Sequence, residues 1–249
     1  MSTFKLAPFP RSAWYHTYLG AATAQGSGPD IWRPKYLPIS WSVDIQLDAY
    51  PTDVQAECEA VEAAVKTRDA DAIEMIVSEA EGTDSMLWQV QCIVGNVEDP
   101  VDKTATKDLL LTMLKEAWQP MFYFKQLFNR GRPYQCCDLP LDPMFPWPDR
   151  RYPGHPSYPS GHATQSHLVA LIYASMFPQL RDDLIKAAAG IAHRRVVAGL
   201  HFPSDSDAGV KLAQQLFYTL TCVPEIEKRF NAARAEWPSG PCPATAPAR

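Results

Sequence analysis

The chain has 249 residues, of which 46% are hydrophobic, so it is long enough to bury the core of one domain. Its 28 acidic residues outnumber 23 basic ones and give a formal net charge of -5, which argues against nucleic acid as a partner. No segment approaches the ~20 apolar residues that cross a bilayer. The amino terminus shows no apolar signal core. We therefore expect a cytoplasmic protein without a transmembrane segment.

The expected cytoplasmic location also bears on the redox state of the cysteines. Without a secretory signal, the six cysteines are expected to be free thiols. The adjacent Cys136 and Cys137 do not have zinc-finger spacing, so they predict no metal site.

Residues 1–50 are rich in proline and aromatic side chains and hold no period for long. They predict an irregular amino-terminal arm packed on the body of the protein. Its aromatic residues are interpreted as core filler, and any that remain exposed suggest self-association into a homo-oligomer. The main aromatic residues of the arm are Trp14, Tyr15, Trp32 and Trp41.

Residues 51–237 carry helical periodicity and predict the main domain. The first predicted helices cover 52–68, opened by a Thr52–Gln55 capping box, then 69–81 and 83–94. The helical pattern of 103–128 is interrupted at Pro120. Residues 134–159 contain seven prolines and predict a long, ordered loop that forms one wall of a site. Further helices are predicted at 160–177, 181–200, 204–222 and 224–237, before a loose tail at 238–249. The fold class is therefore an all-α, single-domain helical bundle.

The segment 155–163 reads His-Pro-Ser-Tyr-Pro-Ser-Gly-His-Ala. Its prolines hold the approach extended, Ser160 occupies an N-cap position, and Gly161 and His162 open the next helix. Free N–H groups and the helix dipole at such an end favour an anion. His162 adds a proton donor at the rim.

Two further segments flank this one. Upstream, Lys125 and Arg132 are seven residues apart, so two helical turns bring both cations to nearly the same side. Downstream, Arg195 and His201 are six apart, which places Arg195 on a helix and His201 at its end. Asp205 follows a Pro-Ser break, where its carboxylate could hold one imidazole nitrogen of His201 and free the other for attack.

Together these residues describe a site for a tetrahedral oxyanion. The blocks Lys-six residues-Arg-Pro, Pro-Ser-Gly-His and Arg-five residues-His-three residues-Asp occur in this order over residues 120 to 210. In this they resemble the superfamily of type 2 phosphatidic acid phosphatases, bacterial non-specific acid phosphatases and vanadium haloperoxidases.

The resemblance implies a phosphatase acting on small phosphomonoesters or diphosphates. In that scheme His201 becomes a phosphohistidine, Asp205 fixes its tautomer, and His162 is general acid and then base. No metal cofactor is expected, since fixed cations take that role. The groups expected to bind phosphate are Lys125, Arg132, Arg195, the Ser160 hydroxyl and the Gly161 N–H.

A vanadium haloperoxidase is the alternative, with vanadate as cofactor bonded to His201. His155 would then lie beside the oxidised halide, or it merely lines the loop, and we favour the second interpretation. The short chain and the sequences His-Phe-Pro-Ser-Asp and Asn-Arg-Gly-Arg-Pro look more like the phosphatase branch. A phosphate-binding protein without activity is disfavoured because both histidines and Asp205 are present. Arg194 stands where the family commonly has serine; it could add a cation or point to solvent.

Overall fold

The fold is known from a computed structural model that describes residues 8–9, 34–95, 103–138, 142–146, 149, 151 and 153–241. Over these residues the predicted all-α class is confirmed: they form helices and no strand, apart from an isolated bridge between Pro8 and Arg130. Trp14, Tyr15, Trp32, Cys242 and the tail beyond residue 241 lie outside the described residues, so the predictions made for them are not examined by the structure.

Ten α-helices are described. They are α1 (Trp41–Asp44), α2 (Val54–Val65), α3 (Ala70–Ala80), α4 (Thr83–Val94), α5 (Thr104–Phe128), α6 (Pro133–Cys136), α7 (Gly161–Met176), α8 (Arg181–Val197), α9 (Pro203–Thr221) and α10 (Pro224–Ala235). A 3-10 turn, Pro178–Leu180, joins α7 to α8.

The helix ends shift by up to three residues from the prediction, and three further features differ. The α2 helix is capped by Asp53, whose side chain accepts from the Ala56 N–H, and not by Thr52. The α5 helix continues through Pro120, which is itself buried. Packing of the apolar stripe on both sides therefore outweighs the hydrogen bond that the proline cannot donate. The short α6 begins one residue before the segment predicted as loop, and the rest of it lies inside that segment.

The α7 helix is the centre of the bundle, with every residue from Ala163 to Ala174 buried. Near its start, the Thr164 hydroxyl donates to the Ser160 carbonyl at 2.9 Å. A Cβ on Gly209 of α9 would lie 2.7 Å from that same carbonyl oxygen, so the absence of a side chain lets α9 approach the start of α7. The Ser160 N–H donates to the Asp205 carbonyl at 2.8 Å. This hydrogen bond directly joins the segment of Ser160 to the segment of Asp205.

Residues 34–50 of the predicted arm pack on α5. The buried carboxylate of Glu116 accepts from the backbone N–H groups of Lys35, Tyr36 and Leu37 at 2.7 to 2.9 Å. Trp41 is 3% exposed and meets Tyr123 edge to face. This segment contributes to the core, whereas the domain boundaries as a whole stay a prediction.

The prediction of free thiols is wrong for two cysteines. Cys58 of α2 and Cys137, which follows α6, form a disulfide with their Cα atoms 5.6 Å apart. Cys92 and Cys222 are free. Disulfides persist mainly in oxidising compartments, so this bond counts against the expected cytoplasmic location.

The described helices include none that combines the length and the apolar character needed to span a membrane. Two hydrophobic clusters form the core instead. The larger is built mainly from α5 and α7–α10, and the smaller from α2, Ile76 of α3, Phe145 and the residues around the α8–α9 turn. The predicted site lies where the two clusters meet.

Candidate active site

A cavity of about 290 Å³ is lined by residues from both clusters. All three sequence blocks contribute side chains to it, although they are up to 76 residues apart, counted from Lys125 to His201. The predicted site residues in its wall are Lys125, Arg132, His155, Gly161, His162, Arg195 and His201. Asp205 and Ser160 lie behind this wall and are fully buried.

Lys125 extends from the last turn of α5 and is completely buried. Its ammonium donates to the carbonyls of Pro156 and Ser157, at 2.8 and 3.3 Å, and to that of Pro159. Burial lowers the pKa of Lys125 well below its usual range, and the charge of Arg132 lowers this pKa further. An anion in the cavity would favour the charged form of this lysine.

Arg132 caps the start of α6 and is also completely buried. Its Nη1 donates to the Leu200 carbonyl at 2.7 Å and lies 3.3 Å from His201 Nε2. Its Nη2 lies 3.3 Å from His155 Nδ1. The guanidinium therefore joins the loop, the α8–α9 turn and the candidate nucleophile.

His201 follows α8, and Asp205 lies in the first turn of α9. Asp205 Oδ2 is 3.2 Å from His201 Nδ1 and accepts from the Phe202 N–H at 2.8 Å. Because a carboxylate accepts hydrogen bonds, Nδ1 carries the proton and the Nε2 lone pair is directed to the cavity. Burial lowers the pKa of His201 well below its usual range, and Arg132 and Lys125 lower this pKa further. The lowered pKa favours the neutral imidazole, whose Nε2 lies at the cavity 3.3 Å from Arg132 Nη1.

His162 stands in the first turn of α7, and its Nε2 lies 3.4 Å from Arg195 Nη1. Burial lowers the pKa of His162 well below its usual range, followed by the charge of Arg195. Burial likewise lowers the pKa of Arg195 to about 10. The charge of Arg195 is balanced by the Glu79 carboxylate, 2.8 Å from Nη2, and the backbone carbonyl of Glu79 lies 3.3 Å from His162 Nε2.

The predicted anion cradle at the start of α7 is present in part. Gly161 lines the cavity, as predicted. The Ser160 hydroxyl, in contrast, accepts from the Ala163 N–H at 3.4 Å and so caps α7, and Ser160 is not in the cavity wall. A direct contact between this hydroxyl and phosphate stays a prediction.

His155 lies in the cavity wall, and the edge-to-face ring contact to Phe122 has a centroid distance of 5.4 Å. Phe122 itself stacks on Trp118 at 5.5 Å. Across the cavity, the guanidinium of Arg151 lies 4.3 Å from the centre of the Phe145 ring. The cavity therefore has a cationic part and an aromatic part.

Sequence reasoning missed a buried carboxylate in this cavity. Glu79 of α3 is 1% exposed and bridges two arginines, accepting from Arg195 Nη2 at 2.8 Å and from Arg194 Nε at 2.6 Å. Arg194 therefore neither joins the cavity wall nor points to solvent, since its Nη2 also donates to Gln89. Glu79 lies three residues after the buried Ile76, so its position on the inward face of α3 was the available signal.

A second missed residue is Arg130, within the segment Asn-Arg-Gly-Arg-Pro. It is 2% exposed and donates to Asp205 Oδ1 at 2.6 Å, so Asp205 is held from both of its oxygens. The charge of Arg130 also lowers the pKa of His201, after burial and the cavity cations.

An all-helical fold around a buried, cation-lined anion cavity defines the class of protein. The family model described as the PAP2 superfamily matches residues 106–227, a range that contains all three sequence blocks. This match supports a place for the chain in the PAP2 superfamily.

Known relatives agree with this assignment. The chain is 28% identical over 145 residues to a non-specific acid phosphatase of Salmonella typhi, covering 58% of this chain and 57% of the relative. It is 28% identical over 153 residues to an acid phosphatase of Zymomonas mobilis, covering 61% of this chain and 57% of the relative. These alignments span little more than half of either relative. A bacterial vanadium-dependent iodoperoxidase shares the fold, with a TM-score of 0.53, 16% identity and coverage of 78% of this chain and 54% of that chain.

Proposed function

We propose that this protein is a phosphatase that hydrolyses small phosphomonoesters through a phosphohistidine on His201. The observation that carries the proposal is the environment of the His201 ring. Asp205 lies 3.2 Å from Nδ1, whereas Nε2 faces the cavity 3.3 Å from Arg132. The acid phosphatase relatives support the same reaction class.

The cavity has the charge that a phosphoryl group needs. Lys125, Arg132 and Arg195 surround it, and their charges stand in a buried environment where they act strongly on a guest anion. The Gly161 N–H at the start of α7 adds a neutral donor. Losing one such contact is expected to lower the rate on the order of 10²–10³-fold.

The reaction then has two balanced steps. The lone pair of His201 Nε2 forms a bond to phosphorus, the ester P–O bond breaks with its electrons on the leaving oxygen, and His162 gives that oxygen a proton. In the second step His162 takes a proton from water, the water oxygen bonds to phosphorus, and the P–N bond breaks with its electrons returning to Nε2. Asp205 keeps the proton of Nδ1 in place throughout.

Metal independence is part of the proposal. The fixed cations occupy the positions from which a metal ion would otherwise stabilise the equatorial oxygens. Three positive side chains would also repel a dication. We expect phosphate release to be unchanged after EDTA treatment.

The substrate class follows from the cavity walls. About 290 Å³ accommodates a phosphoryl group with a small leaving group, and Trp118, Phe122 and Phe145 line the cavity beside the cations. Diphosphates are the second option, since Arg151 adds a cation to the wall.

A vanadium-dependent haloperoxidase remains the alternative function. The specific observation in its favour is His155, which lies in the cavity wall 3.3 Å from Arg132. The donor set fits vanadate, since His201 Nε2 could ligate it and the cations could hold its oxygens. Bound vanadate would activate peroxide for halide oxidation.

One paired assay separates the two functions. We expect the purified protein to release phosphate from p-nitrophenyl phosphate, orthovanadate to inhibit this release, and His201→Ala to abolish it. Acid quench with a labelled substrate should give an acid-labile, base-stable adduct that His201→Ala lacks. Bromination of an indicator dye by peroxide only after vanadate addition, without phosphatase activity, would overturn the proposal in favour of the haloperoxidase.

A further inference from the structure

Behind the cavity wall, both carboxylate oxygens of Asp205 accept hydrogen bonds. Its Oδ2 serves His201 and the Phe202 N–H, while its Oδ1 accepts from Arg130 Nη1 at 2.6 Å. Neither Arg130 nor Asp205 lines the cavity, so neither can touch a substrate there.

Arg130 is itself fixed from several directions. Its Nη2 donates to Glu57 of α2 at 2.8 Å, and its Nη1 donates to the Ser204 hydroxyl at 2.8 Å. The guanidinium lies between two rings, 3.9 Å from the centre of Phe202 and 4.6 Å from that of Tyr50. The Ser204 hydroxyl also donates to Glu57, which closes the network.

We propose that Arg130, anchored by Glu57, is a positioning residue that holds Asp205 and thereby sets the tautomer and orientation of His201. The role rests on the proposed function, in which His201 is the nucleophile. An aspartate with one free oxygen can rotate about its side-chain bonds. Tying Oδ1 to a rigid guanidinium leaves Oδ2 in one place, where it accepts from the imidazole.

The cost of burying charges indicates that the Glu57–Arg130–Asp205 network orients Asp205 and does not mainly stabilise the fold. A buried ion pair recovers little more than its desolvation cost, so apolar residues of similar size would stabilise the fold equally well. Here the Asp205 carboxylate and the Arg130 guanidinium are buried behind the reacting ring, and Glu57, whose side chain is 12% exposed, pairs with Arg130 from the other side. Unlike apolar residues, the ionic network fixes the orientation of the Asp205 carboxylate.

The test compares Arg130→Lys and Arg130→Gln with the natural protein. Loss of an outer partner of a metal-ligating histidine typically costs on the order of 10–100-fold in affinity or activity, and we expect the same scale for His201. We expect such a loss in kcat for Arg130→Gln with KM for p-nitrophenyl phosphate little changed, and a smaller loss for Arg130→Lys, which keeps the charge. In ¹⁵N spectra of the imidazole, His201 should be protonated on Nδ1 in the natural protein and present as mixed tautomers in Arg130→Gln.

Arg68→Gln is the matched control. Arg68 is also largely buried and donates to the Val197 carbonyl near the same turn, but it does not contact Asp205. The Arg68→Gln variant should leave both kcat and the tautomer of His201 unchanged, even if its melting temperature changes. If Arg130→Gln does not fold, Glu57→Gln removes only the anchoring charge and should show the same loss, partly restored by Glu57→Asp.

A folded Arg130→Gln or Glu57→Gln variant with natural kcat and a pure Nδ1–H tautomer overturns the inference. The tautomer measurement needs no turnover, so it is distinct from the test of function. Absence of phosphatase activity in the natural protein would refute the proposed function, whereas the spectra would still report whether Arg130 orients His201.

Discussion

His162 and His201 have different tasks in the proposed reaction, and burial lowers the pKa of both. His201 attacks as the neutral ring, so its lowered pKa keeps it reactive in acidic solution. His162 must carry a proton to serve as the acid, and with a lowered pKa it holds that proton only at acidic pH in the free protein. We therefore expect kcat/KM to be highest on the acidic side of neutrality and to fall as the pH rises, which a pH–rate profile measures.

The role of His162 can be separated from simple binding by the choice of leaving group. General acid catalysis typically contributes 10²–10⁴-fold. For His162→Ala we expect a loss of this order with an alkyl phosphate, whose leaving oxygen needs a proton, and a much smaller loss with p-nitrophenyl phosphate, whose phenolate leaves unaided. The measurement is kcat/KM for each substrate. His193→Ala is the control, since this exposed histidine of α8 is not in the cavity wall; equal losses with both substrates would contradict the acid role.

At the scale of the helices, the disulfide ties α2 to the segment after α6. Cys58 follows Glu57 in sequence, and Cys137 follows the Arg132 segment, so the bond joins two parts that support the cavity from behind. It closes a sequence separation of 79 residues, for which loss of unfolded-state entropy predicts a stabilisation on the order of 4 kcal/mol. We expect Cys58→Ser to lower the free energy of unfolding by about this amount in denaturant titrations.

Two controls sharpen this measurement. Cys222→Ser changes an exposed free thiol and should leave the stability unchanged. Reduction with a thiol reagent should destabilise the natural protein but not Cys58→Ser. An unchanged unfolding midpoint in Cys58→Ser would mean that the bond does not restrain the chain.

Local order along the chain was predictable from the sequence, because it depends on neighbours in sequence. The predicted span of α4 is correct at both ends, and Gly95 ends this helix with a left-handed backbone as expected of that residue. The motif blocks also identified the cavity cations. Pairings between segments were not predictable: Glu79 joins Arg195, and Cys58 joins Cys137, only because α2 and α3 pack beside α8 and α6. The helical pattern can indicate that a carboxylate or thiol is buried. The residue with which it pairs depends on how the helices pack.

For the molecule as a whole, the cavity gathers several cationic side chains and three histidine rings in a buried place. Burial lowers the pKa of His155, His162 and His201, so the native state keeps these rings neutral. In the unfolded chain each ring takes up a proton below its ordinary pKa of about 6.5. The unfolded state then binds more protons than the native one. With respect to these three rings, stability is therefore fully present above pH ~6.5 and falls as the pH drops below it, by up to ~1.4 kcal/mol per pH unit for each ring.

An oxyanion in the cavity should reverse much of this loss, because its charge favours the protonated rings and the cations around them. At 100 times its dissociation constant, a ligand that binds only the native state adds about 2.7 kcal/mol. For a chain of this size, that corresponds to roughly 5–11 °C in melting temperature. We expect phosphate or orthovanadate to raise the melting temperature by this amount near pH 5 and to flatten its dependence on pH. Thermal unfolding across pH, with chloride at matched ionic strength as the reference, measures both effects. Arg132→Gln should lose the response to anion, whereas Arg68→Gln should keep it; an equal response in the two variants would show that the anion acts elsewhere on the protein.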